Sequence, residues 1–447
     1  MAEKVIIEEA LRKKILDLKP EELERALENF RKKLTSESAA CLNTCVRCGL
    51  CSDSCHYFLA YGDLKSHPSY KLNLVIDIFK RYFSAGGKML PGWFGGADLD
   101  ERMIEEWIDS LYGRCTLCGR CALNCTMGIN IPYMIQLARG AMASLDLIPP
   151  GLASTISTAV EKGNNMGIPR EDWIDTVTWL EEELRTEVND PEASLPFDRE
   201  GSYILYTVNP REPKFFPLSL LAAAKIFYAA RESWTLSRDD YDVTNYAYYS
   251  GDDEAAAMIS GRLIGRMQKL GARMLVLAEC GHGFLSNRWE APGWLKREQA
   301  YEVKSFLEVV ADYIRNGRIK LDSSRNSKPV TLHDPCNLVR LGGVVEDQRY
   351  ILKHAVTNFI EMIPNREKNY CCGGGGGQLA MTEYAERRIK AGKIKSEQIQ
   401  KTGAKVVVTP CHNCIDQLME LNKHYSLGVE IKTVGEIVAN AIVLEKK

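Results

Sequence analysis

Fifteen cysteines are the first chemical feature of this 447-residue chain, and thirteen of them fall into three groups. Cys45-Val-Arg-Cys48-Gly-Leu-Cys51-Ser-Asp-Ser-Cys55 spaces its thiols as C-x2-C-x2-C-x3-C. Cys115-Thr-Leu-Cys118-Gly-Arg-Cys121-Ala-Leu-Asn-Cys125 repeats that spacing. The third group is dispersed: Cys336, then Cys371-Cys372-Gly373, then Cys411-His-Asn-Cys414. Thiolates are soft ligands that suit zinc or iron–sulfur clusters. Their grouping at ligand spacings, in a chain without a secretory signal, argues against a disulfide scaffold.

In each of the first two groups, three closely spaced thiolates can wrap one cubane, each binding a different iron. The fourth cysteine then points to the neighbouring cluster, as in two-cluster bacterial ferredoxins. This assigns Cys45, Cys48, Cys51 and Cys125 to one cubane [4Fe–4S] cluster, and Cys115, Cys118, Cys121 and Cys55 to a second. Gly49 and Gly119 lie inside the loops, where a missing side chain lets backbone N–H groups approach the sulfurs. One departure from the ferredoxin pattern is visible: His56 and Thr126 replace the proline that usually follows the fourth cysteine, so the local turn differs. Zinc is the alternative for either run alone; two identical runs argue against it. Cys41, four residues before Cys45, reads as a buried free thiol, with a ligand role as the alternative.

The third group reads C-x34-CCG-x37-CxxC. With His333-Asp334-Pro335-Cys336 opening it, this pattern resembles the CCG module, the cysteine-rich domain of heterodisulfide reductases. The module also occurs in iron–sulfur subunits of glycolate, lactate and glycerol-3-phosphate oxidising systems. The resemblance implies a non-cubane [4Fe–4S] cluster on Cys336, Cys371, Cys372, Cys411 and Cys414. Zinc, which wants four ligands, leaves the fifth cysteine over. Gly373 and Gly374 open a run of five glycines and are candidate cofactor-binding positions; the alternative is a flexible linker. His333 and His412 are candidate catalytic proton donors, or else histidines held by hydrogen bonds in turns. Cys280, in Glu279-Cys280-Gly281-His282, either faces the same site as a third catalytic candidate or is a buried thiol.

The elements that must hold these groups change along the chain. Residues 1–35 read as a charged helical segment, with Pro20 at a helix start. Residues 36–145 read as an α-helical ferredoxin domain. Between its cysteine runs, Leu72, Val75, Ile76 and Phe79, then Ile104, Trp107, Ile108 and Leu111, recur at helical spacing. Residues 146–199 carry turn signals and acidic stretches and read as a linker. From about 200, short β-rich runs alternate with helical stretches: Tyr203–Val208, Met274–Leu277, Val330–Leu332, Val406–Thr409 and Val429–Thr433. That alternation implies parallel α/β units. Cys411 aligns with Cys280, Cys414 with Gly283, and the segment ending in Cys336 with the one ending in Pro210. The fold class is therefore α plus α/β: a helical two-cluster domain, then two Rossmann-like CCG repeats, the first degenerate (200–320) and the second complete (321–447).

Near-neutral charge, 57 basic against 59 acidic side chains, argues against a general nucleic-acid binder. The best apolar run, Phe215–Ala224, is too short to span a membrane. The charged N-terminus offers no signal core, so a cytoplasmic location is expected. One complete and one degenerate copy, with the Glu279–His282 segment, resemble the D-type subunits of heterodisulfide reductases, in their DsrK form. Such subunits belong to the DsrMKJOP membrane complex of sulfate reducers and its Tmc sibling. The resemblance implies a cytochrome b-type membrane partner that handles quinol, and a small DsrC-like protein carrying a disulfide or trisulfide. The chain would then be a peripheral subunit on the inner face of the membrane, passing electrons through two cubanes to an S–S bond. No flavin or nicotinamide fingerprint is present. The competing readings are the iron–sulfur subunit of a hydroxy-acid oxidase and a pure electron-transfer adaptor.

Overall fold

Ile204-Leu-Tyr206, Met274-Leu-Val-Leu277 and Val406-Val-Val408 are apolar at every position, the pattern of strands covered on both faces. The computed structural model describes residues 5–296 and 301–444 and makes each of them a buried parallel strand. The chain divides into two compact units. One gathers Met1–Ser154, Tyr246–Asp253 and Tyr370–Lys395; the other gathers Thr155–Asn245, Glu254–Asn369 and Ser396–Lys447.

The first unit is helical. Pro20–Lys33 begins with proline and two glutamates and ends with three basic residues, matching the helix dipole at both ends. Pro68–Phe83 buries Leu72, Val75, Ile76 and Phe79, the helical stripe read from the sequence. Glu101–Trp107 continues into a wide π-helical turn, Ile108–Tyr112, which delivers the chain to Cys115. Ile131–Ala143 starts at an Asn130 cap and carries Pro132 in its first turn. The glycine-rich segment belongs to this unit. The Tyr57 hydroxyl donates to Gln378 (3.1 Å), and Arg387 pairs with Asp109 (3.0 Å). Gly376 packs so closely that a Cβ there would fall 2.6 Å from the Thr116 backbone, at a φ of +63° that side chains avoid.

The second unit holds the sheets. Its strands, in chain order, are β1 (Ile204–Tyr206), β2 (Trp234–Thr235), β3 (Met274–Leu277), β4 (Glu302–Ser305), β5 (Lys320–Leu321), β6 (Val330–Leu332), β7 (Phe359–Ile360), β8 (Val406–Val408), β9 (Glu430–Lys432) and β10 (Ile442–Val443). One parallel sheet has the order β2-β1-β3-β4 and the other β7-β6-β8-β9. The two orders are the same order, as a duplication requires. The registers agree too: Thr207 N–H donates to Val276, and His333 N–H to Val408, at the same place in each copy. An antiparallel pair, β5 with β10, joins the start of the second copy to its end. Residues 146–199 carry two helices, Pro150–Lys162 and Arg170–Val188. The second buries Trp173, Val177, Leu180 and Leu184 in the core of the sheet unit, while Trp179 stays exposed.

Candidate metal centres

The two cysteine runs fold alike. Arg47 and Gly49 in the first run, and Leu117 and Gly119 in the second, occupy left-handed conformations at matching positions. Ser52 N–H donates to Gly49 and Ala122 N–H to Gly119, closing the same turn in each. The loops bound two cavities in the first unit. One is lined by Cys45, Cys48, Cys51 and Cys125, the other by Cys55, Cys115, Cys118 and Cys121. The fourth cysteine of each run thus crosses to the other run's cavity.

The donor set fits iron–sulfur clusters. Among the described residues no carboxylate lines either cavity. Burial, with the neighbouring Cys45 and Cys125, pushes the Cys51 thiol up to about 11. Burial also pushes Cys121 up, and Cys118, Cys115 and Cys55 add to it. Converging bare thiolates repel one another in a low-dielectric pocket, and metal binding is what removes that cost.

The two cavities differ in charge. Among the described residues, the one ionisable side chain besides cysteine at the first is Arg47, which is exposed and donates to Asn73. At the second stand Lys71 and Arg114, with His56 and Tyr57, all four buried. Arg114 pairs with Asp63 (2.8 Å) and Asp109 (3.4 Å). Lys71 donates to the Arg114 carbonyl (2.5 Å) and lies over the Tyr57 ring. Arg139, fully buried, donates to the carbonyls of Leu111 (2.7 Å), Cys115 (2.8 Å), Tyr249 (2.5 Å) and Gly376 (3.1 Å). Sequence reasoning passed over both Lys71 and Arg139. The available signal was a basic residue inside an apolar helix, Lys71 in Pro68–Phe83 and Arg139 in Ile131–Ala143.

In the second unit the remaining candidates collect at the carboxyl ends of the two central strands of each sheet, where the strand order reverses. That switch point is the usual ligand position in open α/β sheets. β6 leads into His333 and Cys336, and β8 into Cys411, His412 and Cys414; β3 leads into Glu279, Cys280 and His282. The two copies interlock here. Gly281 N–H donates to the Cys411 sulfur (3.4 Å), His412 N–H to the Glu279 carbonyl (3.1 Å), and the Asn413 amide meets His282 Nδ1 (2.6 Å). The Cys411 thiol is held well below its ordinary range, by hydrogen bonding to Cys414 and then to His282. Burial pushes the Cys280 thiol well up; its sulfur accepts from Gly283 N–H (3.3 Å) and the Asn209 amide (3.5 Å).

His412 has one ring nitrogen on the Glu279 carbonyl (3.1 Å) and the other on the Ser219 hydroxyl (3.0 Å). His333 is buried, and the Asn369 amide lies 3.5 Å from its Nδ1. That amide also donates to the Asp334 carbonyl (2.6 Å), so Asn369 is fixed on the loop that opens toward Cys336, two residues before Cys371 in the chain. Cys371, Cys372, Gly373 and Gly374 are buried in the first unit, where Gly373 N–H donates to the Cys371 sulfur (3.3 Å). Cys41 is half-buried on the helix Ser36–Thr44.

Two family models match this chain. Residues 41–129 match the 4Fe-4S dicluster domain, and residues 330–419 match the CCG cysteine-rich domain. The chain joins a dicluster domain to a CCG domain. It carries [4Fe–4S] clusters, and its modules are those of an electron-transfer oxidoreductase. The Hdr-like menaquinol oxidoreductase iron-sulfur subunit of Archaeoglobus profundus is 28% identical over 94% of this chain and 83% of its own length. The D-type subunit of the dihydromethanophenazine:CoB–CoM heterodisulfide reductase of Methanosarcina mazei is 25% identical over 93% of this chain and 98% of its own. The EtfAB:quinone oxidoreductase of Syntrophomonas wolfei is 25% identical over 85% of this chain and 55% of its own. Among the described residues no helix is long and apolar enough to cross a membrane.

Proposed function

We propose that this dicluster–CCG protein is the iron–sulfur subunit of a quinol-linked membrane complex and cleaves an S–S bond at its CCG module. The observation that carries the reading is the CCG match over 330–419, which contains all five of Cys336, Cys371, Cys372, Cys411 and Cys414, each of them buried. These five would hold a third, non-cubane [4Fe–4S] cluster; the cubane ligands are Cys45, Cys48, Cys51 and Cys125, and Cys55, Cys115, Cys118 and Cys121. The clusters supply one-electron transfer. Relatives named for menaquinol oxidation and for heterodisulfide reduction support the two halves of this reading.

Cleavage of one S–S bond takes two electrons and two protons and yields two thiols. The small disulfide- or trisulfide-bearing partner would meet the loops after β6 and β8. There His412 is committed to Glu279 and Ser219, so its part is to hold the Cys411–Cys414 turn, and His333 is the better-placed proton donor. A cytochrome b-type subunit would supply electrons and the attachment to the inner face of the membrane. The test is anaerobic: protein with its clusters, reduced by dithionite, is given a disulfide and the released thiol is counted. Thiol release together with a thiol-sensitive paramagnetic signal supports the reading. Rapid exchange with an electron-transfer flavoprotein and no thiol release favours the competing reading, an iron–sulfur electron-transfer subunit that serves a flavoprotein, for which the EtfAB:quinone oxidoreductase relative speaks.

A further inference from the structure

Lys71 and Arg139 are buried cations with no ion-pair partner among the described residues. Of the cations near them, Arg114 and Arg387 are matched by Asp63 and Asp109. Taking a cation out of water without a counter-charge is costly, and carbonyl hydrogen bonds recover only part of that cost. Arg139 donates to the carbonyl of the proposed ligand Cys115 itself, and Lys71 to the carbonyl of its chain neighbour Arg114. A four-iron cluster with four thiolate ligands is an anion, and reduction makes it more so.

We propose that Lys71 and Arg139 are counter-charges of the cluster held by Cys55, Cys115, Cys118 and Cys121, and that they set its reduction potential above that of the cluster held by Cys45, Cys48, Cys51 and Cys125. The inference rests on the reading of both cysteine runs as cluster ligands. Buried charges act through a low dielectric and are little screened. The cation at the first cavity, Arg47, faces water, where its effect is screened. Hydrogen bonds and charge around a cluster are among the terms that set its potential. The first cavity is also the accessible one: Cys48 is exposed, and Val46 and Leu50 beside it are more than half exposed. An electron delivered at that surface therefore moves inward to the higher potential, and the two cubanes form a directed step.

The test is a redox titration of the full chain with its clusters, followed by EPR, in wild type, Lys71→Met and Lys71→Arg. Iron and labile sulfide are measured first. In Lys71→Met the higher of the two cubane midpoints falls and the lower stays; in Lys71→Arg both stay near wild type. Cys118→Ser must alter the same signal that Lys71→Met moves. If Lys71→Met does not bind its clusters, Lys71→Gln takes its place. Two cubane signals that do not respond to either Lys71 variant, or a fall confined to the lower one, overturn the inference and leave the ligand reading standing. Fewer than two cubanes in wild type removes the ligand reading and the inference with it.

Discussion

The Gly281 N–H points at the Cys411 sulfur from 3.4 Å, so the degenerate copy supplies a hydrogen bond to a proposed ligand of the complete copy. Cys280, next to it, accepts from Gly283 N–H and the Asn209 amide, and after burial the nearby Cys411 charge is what raises its thiol most. The first copy thus lends a backbone N–H to the second, and of the two readings of Cys280, a residue facing the site or a buried thiol, the buried thiol is the one put to test. Cys280→Ala is expected to keep the iron and labile sulfide content of wild type. The lost packing should cost about 1 kcal/mol of stability. Metal analysis of the anaerobically purified variant checks this; a loss of about a third of the iron makes Cys280 a ligand.

Cys372→Ser separates the third cluster from the first two. Serine offers a harder oxygen ligand in place of a soft thiolate. The eight cysteines of the two runs are untouched, so iron should fall from about twelve atoms per chain to about eight. The cubane EPR signals should remain under dithionite while disulfide reduction is lost. Full S–S cleavage by Cys372→Ser rules the assignment out.

Much of this was legible because spacing and period are local properties. The crossed sets of cysteines that line the two cavities follow from two identical runs, and the helices of the first unit follow from apolar stripes such as Leu72, Val75, Ile76 and Phe79. The central strands are apolar runs and were readable for that reason. β2 and β7, two residues each, and β4, with Glu302 and Lys304 outward, lie at sheet edges, where neither length nor pattern marks a strand. The helix Arg170–Val188 hid behind an acidic outer face. Lys71, Arg139 and His282 act through tertiary neighbours far along the chain, and no local pattern encodes such a neighbour.

Asp334, two residues before Cys336, receives two hydrogen bonds from Arg349 (2.7 and 2.8 Å) and one from Arg366 N–H (2.7 Å). Burial works against its charge, but Arg349 holds its carboxyl below the usual range. Removing one partner of such a buried pair leaves the other uncompensated and costs roughly 3–5 kcal/mol. Asp334→Ala should therefore unfold at a markedly lower denaturant concentration. Glu361→Gln, which alters the more exposed partner of Arg349, should cost about 1 kcal/mol or less. Equal effects of the two variants sink this ranking.

Glu212 gives the protein a pH dependence with a defined sign. It is buried, accepts from Asn209 N–H (2.9 Å) and Ser219 Oγ (3.4 Å), and burial pushes its carboxyl up to about 8. In the unfolded chain the group titrates near 4.5. Between these values the folded protein holds a proton that the unfolded chain has lost, so the contribution is complete below about 4.5 and fades as pH rises to 8. Glu279, also pushed up to about 8 by burial, acts in the same sense, and Glu212 raises it further, so the two titrate as a pair. His412, pushed down to about 4, has the opposite sign, but only below its unfolded value of 6.5. From about pH 6.5 to 8 the carboxyls therefore act without it. Cys411, whose thiol is held well below its ordinary range, acts in the opposite sense over the same interval, so the measurement is a difference: as pH rises, the melting temperature of wild type should lose ground to that of Glu212→Gln, whose amide cannot titrate. Coincident slopes for the two proteins mean that Glu212 is already ionised in the folded state and that its burial is compensated.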